Sequence, residues 1–138
     1  MEEYFSNSND ETIEIAKNFA KTLKAGDIVL IDGDLGAGKT VFSKGIVSLF
    51  SNETITAVSP TFVIVNVYET TPPIYHFDLY RITDESELYA IGAEEYFFGE
   101  GISLVEWPLR ADGFFPSTSI KVFIEKLGDN ERKISIRR

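Results

Sequence analysis

Apolar residues recur at helical intervals over residues 8–24, where Ile13, Ala16, Phe19, Ala20 and Leu23 fall on one face. Ser8-x-x-Glu11 has capping-box spacing at the start of this stretch, and Gly26 reads as its stop. The β-branched run over residues 28–31 predicts a short strand. Helical spacing returns with Val41, Phe42, Ile46, Val47, Leu49 and Phe50 and predicts a second helix over 39–50. Residues 61–68 and 74–80 are rich in β-branched and aromatic side chains, and Thr71-Pro72-Pro73 between them predicts the turn of a hairpin. A short helical segment follows near 84–88, then a buried strand over 102–105 that Trp107-Pro108 stops, then strands over 120–124 and 133–136. The expected class is α/β: a central, mixed but mostly parallel sheet flanked by helices on both faces. The chain of 138 residues suits one domain, 1–138, without repeats or long linkers.

Composition narrows the chemistry. Thirteen Lys and Arg against twenty-two Asp and Glu give a net charge of −9, which disfavours direct binding to a nucleic-acid backbone. With no cysteine, disulfides, thiolate nucleophiles and Cys-ligated metals are excluded. The start, Met-Glu-Glu-Tyr-Phe, is acidic where a signal peptide is basic, and no apolar run approaches the ~18 residues of a membrane span. A cytoplasmic protein without a membrane role is therefore expected. Charge is also uneven: residues 66–106 carry nine acids against Arg81, and residues 121–138 carry six bases against three acids. This is either ordinary solvated surface or a pair of faces for different partners or ligands.

Between the first strand and the second helix lies Gly33-Asp34-Leu35-Gly36-Ala37-Gly38-Lys39-Thr40, which satisfies G-x-x-x-x-G-K-[ST]. Glycines at 33, 36 and 38 permit backbone conformations and close approaches that let successive N–H groups surround a phosphate. The following helix aims its positive end at the same anion. Lys39 supplies a charge for the β- and γ-phosphates, and the Thr40 hydroxyl can complete a Mg2+ shell. A turn that merely joins strand to helix would explain the glycines but neither Lys39 nor Thr40. The GTP-specific patterns D-x-x-G and [NT]-K-x-D do not occur, so ATP is the expected nucleotide. Residues 9–12 and the basic tail are the candidates for contacting its base.

A phosphate-loop enzyme also needs an acid at the end of a hydrophobic strand, to hold magnesium or order the nucleophile. Glu106, after Ile102-Ser-Leu-Val, meets that need, unless it simply ends a core strand at the surface. In His76-Phe77-Asp78-Leu79-Tyr80-Arg81, alternation puts His76, Asp78 and Tyr80 on one face and Phe77 and Leu79 on the other. Asp78 is a candidate to order water or metal beside the γ-phosphate, and Arg81 to neutralise charge there or pair with Asp78. His76 is either part of that site or an ordinary packed histidine. Thr61, in Ser59-Pro60-Thr61-Phe62, is the candidate sensor of the γ-phosphate through its hydroxyl.

Taken together, the motifs at 33–40, 59–62 and 76–81, with Leu104-Val-Glu-Trp107, resemble the bacterial TsaE (YjeE) family over residues 8–108. The resemblance implies a cytoplasmic ATPase required for the threonylcarbamoyl modification of adenosine 37 in tRNAs that read codons beginning with A. It further implies TsaD and TsaB as partners, TsaD transferring the group from an adenylate made by TsaC, and contact with tRNA only through them. By motif match, residues 33–40 hold the triphosphate, Thr40 and Glu106 hold magnesium, Asp78 lies at the catalytic centre and Trp107 lies near the nucleotide. Beyond residue 108 the likeness is only general, leaving open any nucleotide contact by Arg132 or Lys133.

An acidic protein acting on tRNA through partners fits the composition, and the acidic stretch 66–106 is a candidate docking face. Hydrolysis by the isolated chain is expected to be slow, since an arginine supplied by a partner can be worth ~10³ to 10⁵ in rate. Two other readings stand beside this one. A small-molecule kinase would use Asp78 as base for an acceptor hydroxyl, although its usual arginine-bearing lid is hard to build from Arg81, Arg110, Arg132, Arg137 and Arg138. A non-catalytic subunit would use nucleotide only to select a shape.

Overall fold

The computed structural model describes residues 1–51, 65–97 and 99–138. In chain order it contains β1 (Glu2–Ser6), α1 (Asn9–Ala20), β2 (Ile28–Gly33), α2 (Lys39–Phe50), β3 (Val65–Tyr68) and β4 (Ile74–Asp78). Then come α3 (Ser86–Ala90), α4 (Ala93–Phe97), β5 (Ile102–Glu106), a 3₁₀ stretch (Pro108–Phe114), β6 (Ile120–Lys126) and β7 (Arg132–Arg137). The strands form one sheet in the order β1-β7-β6-β2-β5-β4-β3. Its four central strands, β6, β2, β5 and β4, run parallel. β1, β7 and β3 join antiparallel at the flanks. The mixed sheet with a parallel centre is the expected α/β architecture.

β2 reads Ile-Val-Leu-Ile before Asp32 because both of its faces are covered, as the centre of a parallel sheet requires. On one face Val29, Ile31, Ile102, Leu104 and Ile74 pack with Val122, Ile124, Ile134 and Ile136 under Ala16 and Phe19 of α1 and Phe42 and Ile46 of α2. On the other, Ile28, Leu30, Phe77 and Val105 pack against Leu88, Ala93, Phe97 and Ala111. The two helices of the first layer touch at Gly45, where an added Cβ would lie 2.6 Å from that of Ala16. No helix among the described residues is long and apolar enough to cross a membrane.

Several boundaries differ from expectation. Ser8 caps α1, its hydroxyl accepting from the Glu11 N–H at 3.1 Å, but the Glu11 carboxylate returns to the Asn7 N–H, one residue before the cap. The helix stops at Ala20, not near Lys24, because the Thr22 N–H and hydroxyl both turn back to the Phe19 carbonyl. Gly26 therefore ends no helix; its N–H donates to the Gly101 carbonyl at the entry to β2. The hairpin around Thr71-Pro72-Pro73 is present as β3–β4, with Tyr68 opposite Ile74. β1, α4 and the 3₁₀ stretch have no counterpart in the sequence reading. Part of the basic tail is paired within the fold: Lys133 Nζ lies 3.8 Å from Glu3, and Arg138 Nε 3.1 Å from Glu2.

Candidate functional site

The glycine-rich loop leaves the carboxyl end of β2 and enters α2 through Gly38, whose φ of 104° is a left-handed conformation suited to glycine. Gly33 is constrained by space as well: a Cβ there would stand 2.5 Å from the Ile124 carbonyl oxygen on the neighbouring strand. The first N–H groups of α2 have no carbonyl one turn back within the helix, so this end presents donors and the positive pole of the helix dipole.

Lys39 is only 5% exposed. Its ammonium donates to the carbonyls of Gly33 and Asp34 and lies 3.8 Å from the centre of the Trp107 ring. Burial pushes its pKa below the usual lysine range, and Glu106, Asp32, Asp34 and Asp78 oppose that shift. Trp107 takes a left-handed conformation, φ 59°, where β5 ends, and its ring packs on Tyr80 at 4.9 Å. The indole thus closes one side of the lysine's pocket.

Glu106 is 3% exposed at the end of β5. Its Oε1 accepts from the Thr40 hydroxyl at 3.2 Å, and its Oε2 meets His76 Nε2 and the Ser43 hydroxyl. Asp78 stands opposite Glu106 in the parallel β4–β5 register, and its Oδ1 accepts from the Tyr80 N–H at 3.1 Å. Among the described residues no three His, Asp or Glu side chains form a cage for a metal ion. The donor set is instead one hydroxyl beside one carboxylate. That set suits magnesium, which commonly takes one or two carboxylates and completes its shell with phosphate oxygens and water.

These groups line a cleft of about 450 Å³ together with Leu35, Gly36, Asn9 and Arg132. Arg132 Nε donates to the Ala37 carbonyl at 2.9 Å, while its Nη1 atom holds the carbonyls of the β6–β7 turn. Because C=O and N–H point oppositely in a trans peptide, the Gly38 N–H faces away from this guanidinium.

A family model described as threonylcarbamoyl adenosine biosynthesis protein TsaE matches residues 6–134. The chain belongs to the TsaE family. Among TsaE relatives, those of Bacillus subtilis and Rickettsia bellii are 42% and 41% identical over 127 and 131 residues. The matches cover 91% and 94% of this chain, and 78% and 90% of those proteins. TsaE of Aquifex aeolicus is 36% identical over 140 residues, covering 100% of this chain and 97% of that protein. The crystal structure of YdiB from Bacillus subtilis superposes with a TM-score of 0.81 at 35% identity, covering 98% of this chain and 83% of that one. TsaE proteins carry in their name a part in tRNA threonylcarbamoyladenosine biosynthesis.

In this TsaE chain Leu35, Gly36, Gly38, Lys39 and Thr40 of the loop line one cleft with Asp78, Glu106 and Trp107, Leu35 projecting outward at 76% exposure, while Gly33 and Asp34 line a neighbouring hollow beside Trp107 and Ala37 is buried. Thr61 and the motif 59–62 lie outside the described residues. Arg81 is exposed after β4 and does not line the cleft; the arginine that does is Arg132. Of the base-contact candidates, Asn9 and Arg132 reach the cleft, whereas Lys133 turns to Glu3 on β1. Ser43 was missed by sequence reading, although its position three residues after Thr40 on a helix was the available signal.

Proposed function

We propose that this chain is a Mg2+-dependent ATPase of cytoplasmic tRNA threonylcarbamoyladenosine synthesis, binding and cycling a TsaB–TsaD transferase pair and reaching tRNA only through it. The observation that carries the reading is the convergence of Lys39 and Thr40, from the loop, with Glu106 and Asp78, from two neighbouring strand ends. Family membership supports the pathway, and the exposed acids Asp84, Glu87, Glu94 and Glu95 on and beside α3 and α4 are candidates for a docking surface.

The backbone of residues 33–40 would take the β-phosphate, and the Lys39 ammonium, now spent on two loop carbonyls, would exchange them for phosphate oxygens. Thr40 and Glu106 would hold magnesium, which when bound neutralises charge on the β- and γ-phosphates. Asp78 Oδ1 is engaged by the Tyr80 N–H, so Oδ2 is the atom to orient the attacking water and receive its proton. Trp107 closes the lysine's side of the site against water. No arginine beyond Arg132 lines the cleft among the described residues, and Arg132 is committed to backbone carbonyls, so slow hydrolysis by the chain alone is expected.

The test is release of inorganic phosphate from ATP and Mg2+ by wild type and Lys39→Ala, alone and with TsaB–TsaD added. Weak release that changes markedly with the pair and vanishes in the variant supports the proposal. Rates indifferent to the pair refute the partner assignment, and phosphate recovered in an organic product instead of free would make the protein a kinase.

A further inference from the structure

The carboxylate of Glu106 is divided between two sets of partners. Oε1 faces the Thr40 hydroxyl, while Oε2 is occupied by His76 Nε2 and, at 3.5 Å, by the Ser43 hydroxyl. His76 and Ser43 are each 1% exposed, so water does not compete for that oxygen. The placement follows from the fold: parallel pairing sets His76 beside Leu104 and Asp78 beside Glu106, and two-residue alternation turns His76 and Glu106 toward the same face. Thr40 and Ser43, three residues apart on α2, meet the carboxylate from above.

A carboxylate at the end of a Glu side chain turns readily about its last torsion and can offer a metal one oxygen or two. We infer that His76 is a positioning residue: supported by Ser43, it anchors Oε2 so that Oε1 alone is presented, beside the Thr40 hydroxyl, to a divalent cation. This rests on the nucleotide–metal reading above. A histidine that merely fills space would be replaceable by any side chain of similar size. One that anchors Oε2 is replaceable only by a side chain that puts an N–H where Nε2 stands. Glutamine reaches that position with its amide; asparagine stops near Nδ1.

The experiment compares His76→Gln with His76→Asn. Mn2+ binding in the presence of saturating ADP is followed by electron paramagnetic resonance of the free ion. ADP binding without metal is followed by fluorescence of Trp107, the chain's single tryptophan. His76→Asn should lose about 10- to 100-fold in Mn2+ affinity, the usual cost of removing an outer partner of a metal ligand, and His76→Gln should stay within about threefold of wild type. Metal-free ADP affinity should be the same in all three proteins. Equal Mn2+ affinities in the two variants, whether both normal or both weakened, would overturn the inference while leaving the proposed function standing. Should His76→Asn fail to fold, Ser43→Ala decides: weakened Mn2+ binding supports the anchor and wild-type binding overturns it. A wild type that binds neither ADP nor Mn2+ would defeat the proposed function and this inference together.

Discussion

Thr40 Oγ1 donates to Glu106 Oε1 at 3.2 Å, although 66 positions separate the two residues in the chain. The contact joins the first turn of α2 to the end of β5, and it brings a hydroxyl and a carboxylate to one point on the cleft wall. Replacing Glu106 with Gln keeps the shape and a hydrogen-bond acceptor but removes the charge. Phosphate release should fall by about 10²-fold or more, as for loss of a charge-stabilising group, with a melting temperature within a few degrees of wild type. Parallel phosphate-release assays and thermal melts check both halves; retained hydrolysis would remove Glu106 from the metal site.

Lys39 titrates below the ordinary lysine value of 10.5 because burial disfavours its charge. Its folded pKa is the lower one, so between the two values the unfolded chain holds more protons. The group therefore contributes least to stability at neutral pH, and its contribution grows as pH rises through the folded value. Triphosphate should raise the pKa, so nucleotide binding should take up protons at alkaline pH. Calorimetry in two buffers of different ionisation enthalpy measures this, and equal heats in both would contradict it.

Gly33 and Gly36 differ in kind. At Gly33 an added Cβ meets the Ile124 carbonyl oxygen at 2.5 Å, whereas at Gly36 nothing lies within 4 Å and only the positive φ of 80° opposes a side chain. Gly33→Ala should cost more than about 2 kcal/mol, through backbone overlap added to strain, and Gly36→Ala about 1 kcal/mol. Urea unfolding of the two variants ranks them, and the reverse order would refute the assignment.

Arg132 ties the β6–β7 turn to the loop carbonyl of Ala37. Arg132→Ala should lower stability by about 1 to 2 kcal/mol and weaken nucleotide binding, and Arg132→Lys should not restore either, since an ammonium cannot span both sets of carbonyls. Denaturant melts and ADP titration of the two variants provide the check.

Local chemistry accounts for what could be read in advance. The run Ile28–Ile31 and the stretch Lys39–Phe50 carry their own periodicity, so strand, loop and helix were legible, and α2 has the bounds its pattern predicts. β1 was not legible, because Glu-Glu-Tyr-Phe-Ser becomes a strand only by bonding to β7, at the other end of the chain. The stop of α1 was misplaced for a related reason: apolar spacing continues to Leu23, but the Thr22 hydroxyl and N–H compete for the Phe19 carbonyl.

The sequence by itself determined a phosphate-shaped loop, one acid at a strand end, Glu106, and one on a polar strand face, Asp78, since each follows from motif and period within a few residues; Trp107 came only with the family resemblance, and that Asp78 ends its strand came only with the structure. Only the tertiary structure decided their relations. Parallel pairing of β4 with β5 sets Asp78 opposite Glu106, puts His76 on Oε2 instead of in an ordinary packed position, and leaves Arg81 outside the cleft that Arg132 enters. Outside the β3–β4 hairpin, which its turn announces, strand order and register are set by contacts among residues far apart in the chain, and no local pattern encodes them.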